Sequence, residues 1–242
     1  MTVLTIDPVA PQPALIAQAV ALLRTGQPVV FPTDTVYGLG IAVLPTTDAA
    51  AALTLYELKQ RDAGKPIPWL VPSADALATY ARDLPSYAYA LARAFWPGAL
   101  TLVARAAPAV PPHFQAPNGT IALRMPAHPI ALALLHTLGV PLAATSANRQ
   151  GEPPATNRGT LDPFLAQRVP LVIDGGPTPA HGPSTVVDCQ GPAPRILREG
   201  ALARQAIEAA CQDGGTLPEA GRLPHVTRCH ARHPHSRSSQ VH

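Results

Sequence analysis

Cysteine and charge are both scarce in this sequence of 242 residues. It has three cysteines, and only 14% of its residues are charged, whereas 47% are hydrophobic. Three cysteines gathered toward the C-terminus are too few for a disulfide framework, which favours a reducing compartment. The abundance of apolar residues excludes an intrinsically disordered chain and is sufficient for a packed core.

Long apolar runs are missing as well. No uninterrupted apolar stretch reaches the ~18 residues that a membrane span needs. The first residues also lack the basic start and apolar stretch of a signal peptide. We therefore expect a cytoplasmic protein that has no membrane partner.

Common catalytic motifs are absent too. The chain has no G-x-x-x-x-G-K-[ST] phosphate loop, because Gly64-Lys65 is followed by Pro66, and no G-x-G-x-x-G after a strand. It lacks H-E-x-x-H, paired C-x-x-C and G-x-S-x-G motifs, which argues against zinc and serine-hydrolase chemistry. One group of possible metal ligands lies in an irregular C-terminal segment, where solvated side chains are the simpler interpretation: His225, Cys229, His230, His233 and His235.

Lysine is the rarest cation. Of 18 basic residues only Lys59 and Lys65 are lysines, and they lie six positions apart. A compact ammonium suits a phosphate group, although two solvated lysines are the alternative. The net charge of +3 comes from arginines after Gly221, so the rest of the chain is nearly neutral. Net charge therefore does not indicate nucleic-acid binding.

Helical and extended patterns alternate along the chain, which predicts an α/β fold. The predicted strands are 28–32, 36–43, 67–71, 100–104, 120–124, 140–144, 169–173 and 185–188. The predicted helices are 14–24, a segment capped by Thr47 or Asp48 and running to Arg61, another capped by Ser73, 87–95, 130–138 and 202–210. Periodicity stops near Gln212. We predict one domain over 1–211 and a disordered tail over 212–242.

Polar side chains cluster at the ends of the predicted strands or in the loops that follow, where open α/β sheets bind ligands. Taken singly, such hydroxyls are more often turn or cap residues. Taken together, cations and small hydroxyls with few carboxylates favour an anionic substrate. The clusters are Thr33, Asp34 and Thr35 with Tyr37; Lys59, Arg61 and Lys65; Thr120 with Arg124; Ser146 and Asn148 with Thr156; and Ser184 with Arg198.

Six ordered motifs resemble the YrdC family of threonylcarbamoyl-AMP synthases. They are Val29-Val30-Phe31-Pro32-Thr33-Asp34-Thr35-Val36-Tyr37-Gly38-Leu39, Lys59-Gln60-Arg61 with Lys65-Pro66, Phe95-Trp96-Pro97-Gly98-Ala99-Leu100-Thr101, Ala122-Leu123-Arg124-Met125-Pro126, Thr145-Ser146-Ala147-Asn148 and Pro183-Ser184-Thr185-Val186-Val187-Asp188. The resemblance covers roughly Leu15 to Leu202. It implies an open, twisted, mixed β-sheet with flanking helices around a concave ligand-binding face.

The resemblance also implies an activity. ATP, L-threonine and bicarbonate would be converted to L-threonylcarbamoyladenylate and pyrophosphate, so the enzyme would be a nucleotidyltransferase. Mg²⁺ would accompany ATP, and the protein would need no metal site of its own. A separate tRNA threonylcarbamoyl transferase complex would then modify the adenosine beside the anticodon. Weak binding of tRNA or double-stranded RNA is compatible with such a face.

Site residues follow from the same resemblance. Lys59 and Arg61 would be catalytic, with Lys59 facing the phosphates. The residues implied for ATP are Arg61, Lys65, Thr120, Asn148, Thr156 and Arg198, and those implied for threonine are Thr35, Arg124, Ser146 and Ser184. This chain departs from some relatives, which have a histidine near Ile67-Pro68-Trp69, and we expect it to be a short, single-domain form.

Two other functions stay open at this point. A non-enzymatic RNA-binding module would bind RNA in a salt-sensitive manner and form no adenylate. A carbamoyl-adenylate synthase serving another acceptor would release pyrophosphate with bicarbonate but without threonine. Such domains usually accompany zinc-type cysteine motifs, which this sequence lacks.

Overall fold

The computed structural model describes residues 1–61, 66–179 and 182–212. Its strands form one mixed sheet in the order β1-β9-β2-β3-β8-β4-β7-β6-β10-β11, with β5 beside β6. The strands are β1 (Thr2–Thr5), β2 (Val29–Phe31), β3 (Gly38–Ala42), β4 (Trp69–Leu70), β5 (Ala81–Arg82), β6 (Leu100–Ala106), β7 (Thr120–Arg124), β8 (Leu142–Ser146), β9 (Leu171–Asp174), β10 (Thr185–Asp188) and β11 (Arg195–Arg198). The predicted α/β fold with a mixed sheet is confirmed.

Seven α-helices occur in the described residues: α1 (Pro13–Leu23), α2 (Ala49–Lys59), α3 (Ala76–Tyr80), α4 (Ser86–Phe95), α5 (Pro129–Leu138), α6 (Pro163–Arg168) and α7 (Arg204–Gln212). Local sequence explains their ends. Asp48 caps α2 by accepting a hydrogen bond from the Ala51 amide. Helix α5 begins with Pro129 and ends at Gly139, whose φ of 77° lies in the left-handed region that favours glycine.

Helices cover both faces of the sheet. On one face, α1 and α5 pack over β9, β2, β3 and β8, and they bury Phe31, Leu142 and Ile173. On the other face, α2, α4 and α7 form the larger core, which includes Leu102 and Leu123. Each core residue is removed from water, and this burial is the main source of stability.

The first face is not covered along its whole width. In β7, Ile121 and Leu123 face the larger core, whereas Thr120, Ala122 and Arg124 alternate with them and point to the opposite side. Neither α1 nor α5 packs over that side of β7, β6 and β10. This uncovered part of the sheet forms the floor of a cavity.

The structure adds elements that the sequence analysis missed, namely β1, β5, β11 and α6. It also extends β8 to Ser146, which was expected in a loop. Residues 213–242 lie outside the described residues, so the predicted tail, its possible metal ligands and the domain boundary stay predictions. Within the described ranges, no helix is both long and apolar enough to cross a membrane.

Candidate active site

A cavity of about 620 Å³ lies on the uncovered part of the sheet. Side chains from β7, β6, β10 and β8 line it, together with loops that precede or follow these strands. Seven residues predicted for the site meet there: Thr35, Arg61, Thr120, Arg124, Ser146, Ser184 and Arg198. The residues are distant in sequence, so the sheet order brings them together.

Arg124 is the most constrained of these side chains. It is 7% exposed, and its Nε donates to the Gly98 carbonyl at 3.0 Å. One terminal nitrogen donates to Thr35 Oγ1 at 2.9 Å, and the other pairs with Asp34 Oδ1 at 2.6 Å. Burial lowers the pKa of Arg124, and Asp34 opposes that shift. Sequence reasoning grouped Asp34 with the threonines but missed this ion pair.

Arg198 and Ser184 form a second polar group on the same end of the cavity. Arg198 donates to the Ser184 carbonyl at 2.8 and 3.2 Å, and the Ser184 hydroxyl shares a 2.8 Å hydrogen bond with Thr101. Arg198 is an exposed residue by surface area, but partial desolvation of its guanidinium, followed by the positive charges of Arg124 and Arg61, lowers its pKa. Three guanidinium groups therefore face one end of the cavity and favour an anionic ligand there.

Gly200 holds this second group in place. A Cβ atom at this position would overlap the Pro183 carbonyl oxygen and would lie 2.6 Å from the Ser184 carbonyl carbon. The Gly200 amide donates to Thr185 Oγ1 at 2.9 Å. Only glycine permits this close approach to the backbone that carries Ser184.

Lys59 lies beside the cavity lining, and its predicted role of facing the phosphates stays a prediction. It is 4% exposed and does not line the cavity. Its Nζ donates to the carbonyl oxygens of Ser146 and Asn148 at 2.7 and 2.8 Å, and to Asn148 Oδ1 at 3.0 Å. Burial, followed by the charge of Arg61, lowers the pKa of Lys59 to about 8. The ammonium supports the Ser146–Asn148 segment, because three carbonyl-type oxygens converge on it, and it also lies 3.4 Å from the hydroxyl of the lining residue Ser146.

Asn148 and Thr156, which were predicted to contact ATP, also lie outside the cavity lining. The Asn148 side chain is engaged on both sides, since Oδ1 accepts from Lys59 and Nδ2 donates to the Glu152 carbonyl. The Thr156 carbonyl accepts from the Thr178 amide and hydroxyl. Lys65 lies outside the described residues. Contacts of these residues with ATP stay predictions, and in the described geometry the Asn148 side chain links Lys59 to the Glu152 backbone.

Tyr37 also has a structural place. Its side chain is buried, and its hydroxyl donates to the Gly176 carbonyl at 2.7 Å. Burial raises the pKa of this hydroxyl to about 12, so it stays protonated at neutral pH. The hydroxyl fixes the turn after β9 and is not suited to acid or base catalysis.

The opposite end of the cavity was missed by the sequence analysis. It is lined by Asn118, Asp188, Gln190 and Arg195, together with the predicted Thr120. Asp188 is the last residue of the motif that begins at Pro183, but nothing in the local sequence indicated that its side chain lines a cavity. The four residue steps from Arg124 to Thr120 along β7 separate the two ends by about 13 Å.

No group of three or more His, Cys, Asp or Glu side chains is placed to hold a metal ion in the described residues. Asp188, which lines the cavity, is paired with Arg195, and Asp34, next to the lining residue Thr35, is paired with Arg124.

Comparisons with known proteins agree with this arrangement. The family model Sua5_yciO_yrdC, described as Telomere recombination, matches residues 21–200. The threonylcarbamoyl-AMP synthase of Bacillus subtilis (strain 168) is 42% identical over 195 residues, which cover 80% of this chain and 56% of that protein. The chain therefore spans little more than half the length of this relative.

Two solved structures extend the likeness to the fold. The crystal structure of P. abyssi Sua5 complexed with L-threonine has a TM-score of 0.79 at 35% identity, covering 87% of this chain and 61% of that one. The crystal structure of E. coli YciO has a TM-score of 0.75 at 30% identity, covering 85% of this chain and 98% of that one.

Proposed function

This chain belongs to the Sua5/YciO/YrdC family, and we propose that it is an L-threonylcarbamoyladenylate synthase. The substrates are L-threonine, bicarbonate and ATP with its Mg²⁺, and the products are the adenylate and pyrophosphate. The observation that carries the proposal is the meeting of Arg61, Arg124 and Arg198 with small hydroxyls at one end of the cavity. A relative with the corresponding name and a relative bound to L-threonine support it.

Arg124 supplies a site for the threonine carboxylate. A guanidinium has five N–H donors, and Arg124 directs three of them to Gly98, Thr35 and Asp34 within the described structure. One N–H on each terminal nitrogen has no described partner and is available to donate to a carboxylate. Ser146 and Ser184 offer hydroxyls to the rest of the amino acid.

The chemistry requires two anions to approach each other. The threonine amine and bicarbonate combine to a carbamate and water, and a carbamate oxygen then attacks the α-phosphorus while pyrophosphate leaves. Arg61 and Arg198 offset the repulsion and the charge that gathers on the leaving group. Catalysis then consists of positioning and electrostatic stabilisation, and the reaction needs no protein nucleophile.

Mg²⁺ would enter with ATP and take ligands from the phosphate oxygens, while the carboxylates of Asp34 and Asp188 are each engaged by an arginine. The product is a reactive mixed anhydride, so a tRNA threonylcarbamoyl transferase is proposed as its consumer. Direct RNA binding by this chain is a separate question, which a salt titration of tRNA binding addresses.

The test is pyrophosphate release by the purified protein with MgATP, with threonine or bicarbonate left out in turn. Arg198→Ala should reduce the rate on the order of 10²-fold. Arg93→Ala is the matched control, because Arg93 is exposed on α4 and does not line the cavity. Pyrophosphate release that needs bicarbonate but not threonine would indicate a carbamoyl-adenylate synthase that serves another acceptor. Strong RNA binding without pyrophosphate release would favour a non-enzymatic RNA-binding module.

A further inference from the structure

The end of the cavity remote from the three arginines has its own recognition chemistry. We infer that Gln190, oriented by Asp188, selects adenine over other purines at this end of the cavity. The inference rests on the proposed function, since it requires a nucleoside triphosphate in the cavity. It concerns two residues that neither the six motifs nor the proposed reaction assigned to a ligand.

Electrostatics decide which end receives the base. Arg61, Arg124 and Arg198 attract the phosphates and the threonine carboxylate to their end. At the opposite end the Asp188 carboxylate is paired with Arg195 at 2.7 Å, so this end has no surplus positive charge to attract phosphate. This end also presents apolar surface suited to a flat ring, from Val103, Pro117 and Leu197. The base therefore lies against β10 and β11, with the phosphates toward Arg198.

Asp188 determines which way the Gln190 amide faces. Asp188 is 6% exposed, and its Oδ1 accepts from both the backbone N and the side-chain Nε2 of Gln190 at 3.0 Å. Its Oδ2 accepts from Arg195 at 2.7 Å. Burial acts to raise the pKa of Asp188, but the hydrogen bonds from Arg195 and Gln190 hold it below its usual value. Asp188 is thus an ionised group that can only accept.

The consequence is a fixed acceptor in the cavity wall. Because Asp188 takes the Nε2 group, Gln190 must turn its Oε1 the other way, and none of the described residues donates a hydrogen bond to that oxygen. A similar argument applies to Asn118, whose Oδ1 accepts from the Thr120 hydroxyl at 2.7 Å. Its amide NH₂ is then the group left to donate.

This acceptor and donor match adenine. The adenine 6-amino group is a donor, and a ring nitrogen beside it is an acceptor, whereas guanine and hypoxanthine carry a carbonyl oxygen at position 6. That oxygen would meet Gln190 Oε1 with no hydrogen between them. Gln190 is half-buried, and a base that covers its acceptor without donating a hydrogen bond leaves that acceptor unpaired, which lowers the affinity.

The test compares the binding of MgATP and MgITP by titration calorimetry, because inosine differs from adenosine at this position. The wild-type protein should bind ATP about 10- to 100-fold more tightly. Gln190→Met, which keeps length but removes the acceptor, should bring the ratio close to 1 by weakening ATP binding. Gln18→Met on α1 is the control, because Gln18 is exposed and outside the cavity lining, and it should keep the wild-type ratio.

Asp188→Asn tests the orienting role, since an asparagine can donate as well as accept and allows the Gln190 amide to turn over. The ATP to ITP ratio should fall in this variant although Gln190 is unchanged. Equal wild-type affinities, or an unaltered ratio in either variant, would overturn the inference. Threonine- and bicarbonate-dependent pyrophosphate release would still support the synthase in that case, whereas binding of neither nucleotide would contradict both proposals.

Discussion

One face of the sheet carries two halves with opposite characters. Over β9, β2, β3 and β8 the face is covered by α1 and α5 and consists of apolar side chains such as Phe31, Leu142 and Ile173. Over β7, β6 and β10 it carries Thr120, Arg124, Thr101 and Ser184 and forms the cavity. Both halves follow the same alternation along their strands. Where helices cover the sheet, the side chains that point toward them are apolar. Where no helix covers the sheet, the side chains at the equivalent alternating positions include polar groups, and these line the cavity.

The largest effect should come from removing Arg124. In Arg124→Ala, the carboxylate site is lost and Asp34 is left without its partner in a nearly buried place. We expect pyrophosphate release to fall on the order of 10²-fold or more. The rate per folded molecule should be measured beside a thermal melt. A variant that melts earlier but keeps the wild-type rate per folded molecule would contradict the assignment of this half to catalysis.

The covered half should respond in the opposite manner. Leu23 on α1 is fully buried, so Leu23→Ala leaves a cavity and should lower the free energy of unfolding by about 2–5 kcal/mol. Its rate per folded molecule should stay close to that of the wild type. Urea unfolding measures the stability and pyrophosphate release measures the rate. A large loss of activity without destabilisation would contradict the assignment of the covered half to stability alone.

A substitution at Gly200 tests whether the backbone at the edge of the cavity positions Ser184. Gly200→Ala places a Cβ against Pro183 and Ser184, which must shift and take the Ser184 hydroxyl with them. A displacement of this kind should lower activity by about 10- to 100-fold, with a raised KM for threonine. Gly191→Ala is the matched control, because the nearest atom to its added Cβ is the Ala193 oxygen at 3.7 Å. Equal kinetics in the two variants would show that Ser184 does not depend on Gly200.

The smallest effect concerns pH. The folded pKa of Lys59 is about 8, below its ordinary value of 10.5, so the unfolded chain binds more protons between these two values. The contribution of Lys59 to stability should therefore increase as pH rises through that window. Activity should decrease there, because the deprotonated amine has fewer N–H groups for the Ser146–Asn148 segment.

The pH profile of Lys59→Arg separates this effect from titration of the substrates. Arginine stays charged throughout, so the fall in rate above pH 8 that belongs to residue 59 should disappear. Urea midpoints at pH 7 and pH 9.5 give the stability reading. An identical fall in the variant and the wild type would assign it to threonine or bicarbonate.

Sequence alone predicted many of the residues that line the cavity and fewer of the residues that hold them in place. Strands 120–124 and 185–188 were predicted with the observed bounds, because their alternation and flanking residues are local signals. The burial of Lys59 was not predictable, since its partners lie 87 and 89 positions away. Strand β11 was missed because Arg195–Arg198 is a short edge strand with exposed arginines at both ends.

The most direct test of the synthase account follows the bicarbonate carbon. The purified protein is supplied with MgATP, L-threonine and ¹³C-bicarbonate, and the products are identified by mass spectrometry. The account predicts a labelled threonylcarbamoyladenylate that appears with pyrophosphate and disappears when threonine is withheld. Pyrophosphate without a labelled adenylate, or a labelled adenylate that forms without threonine, would contradict it.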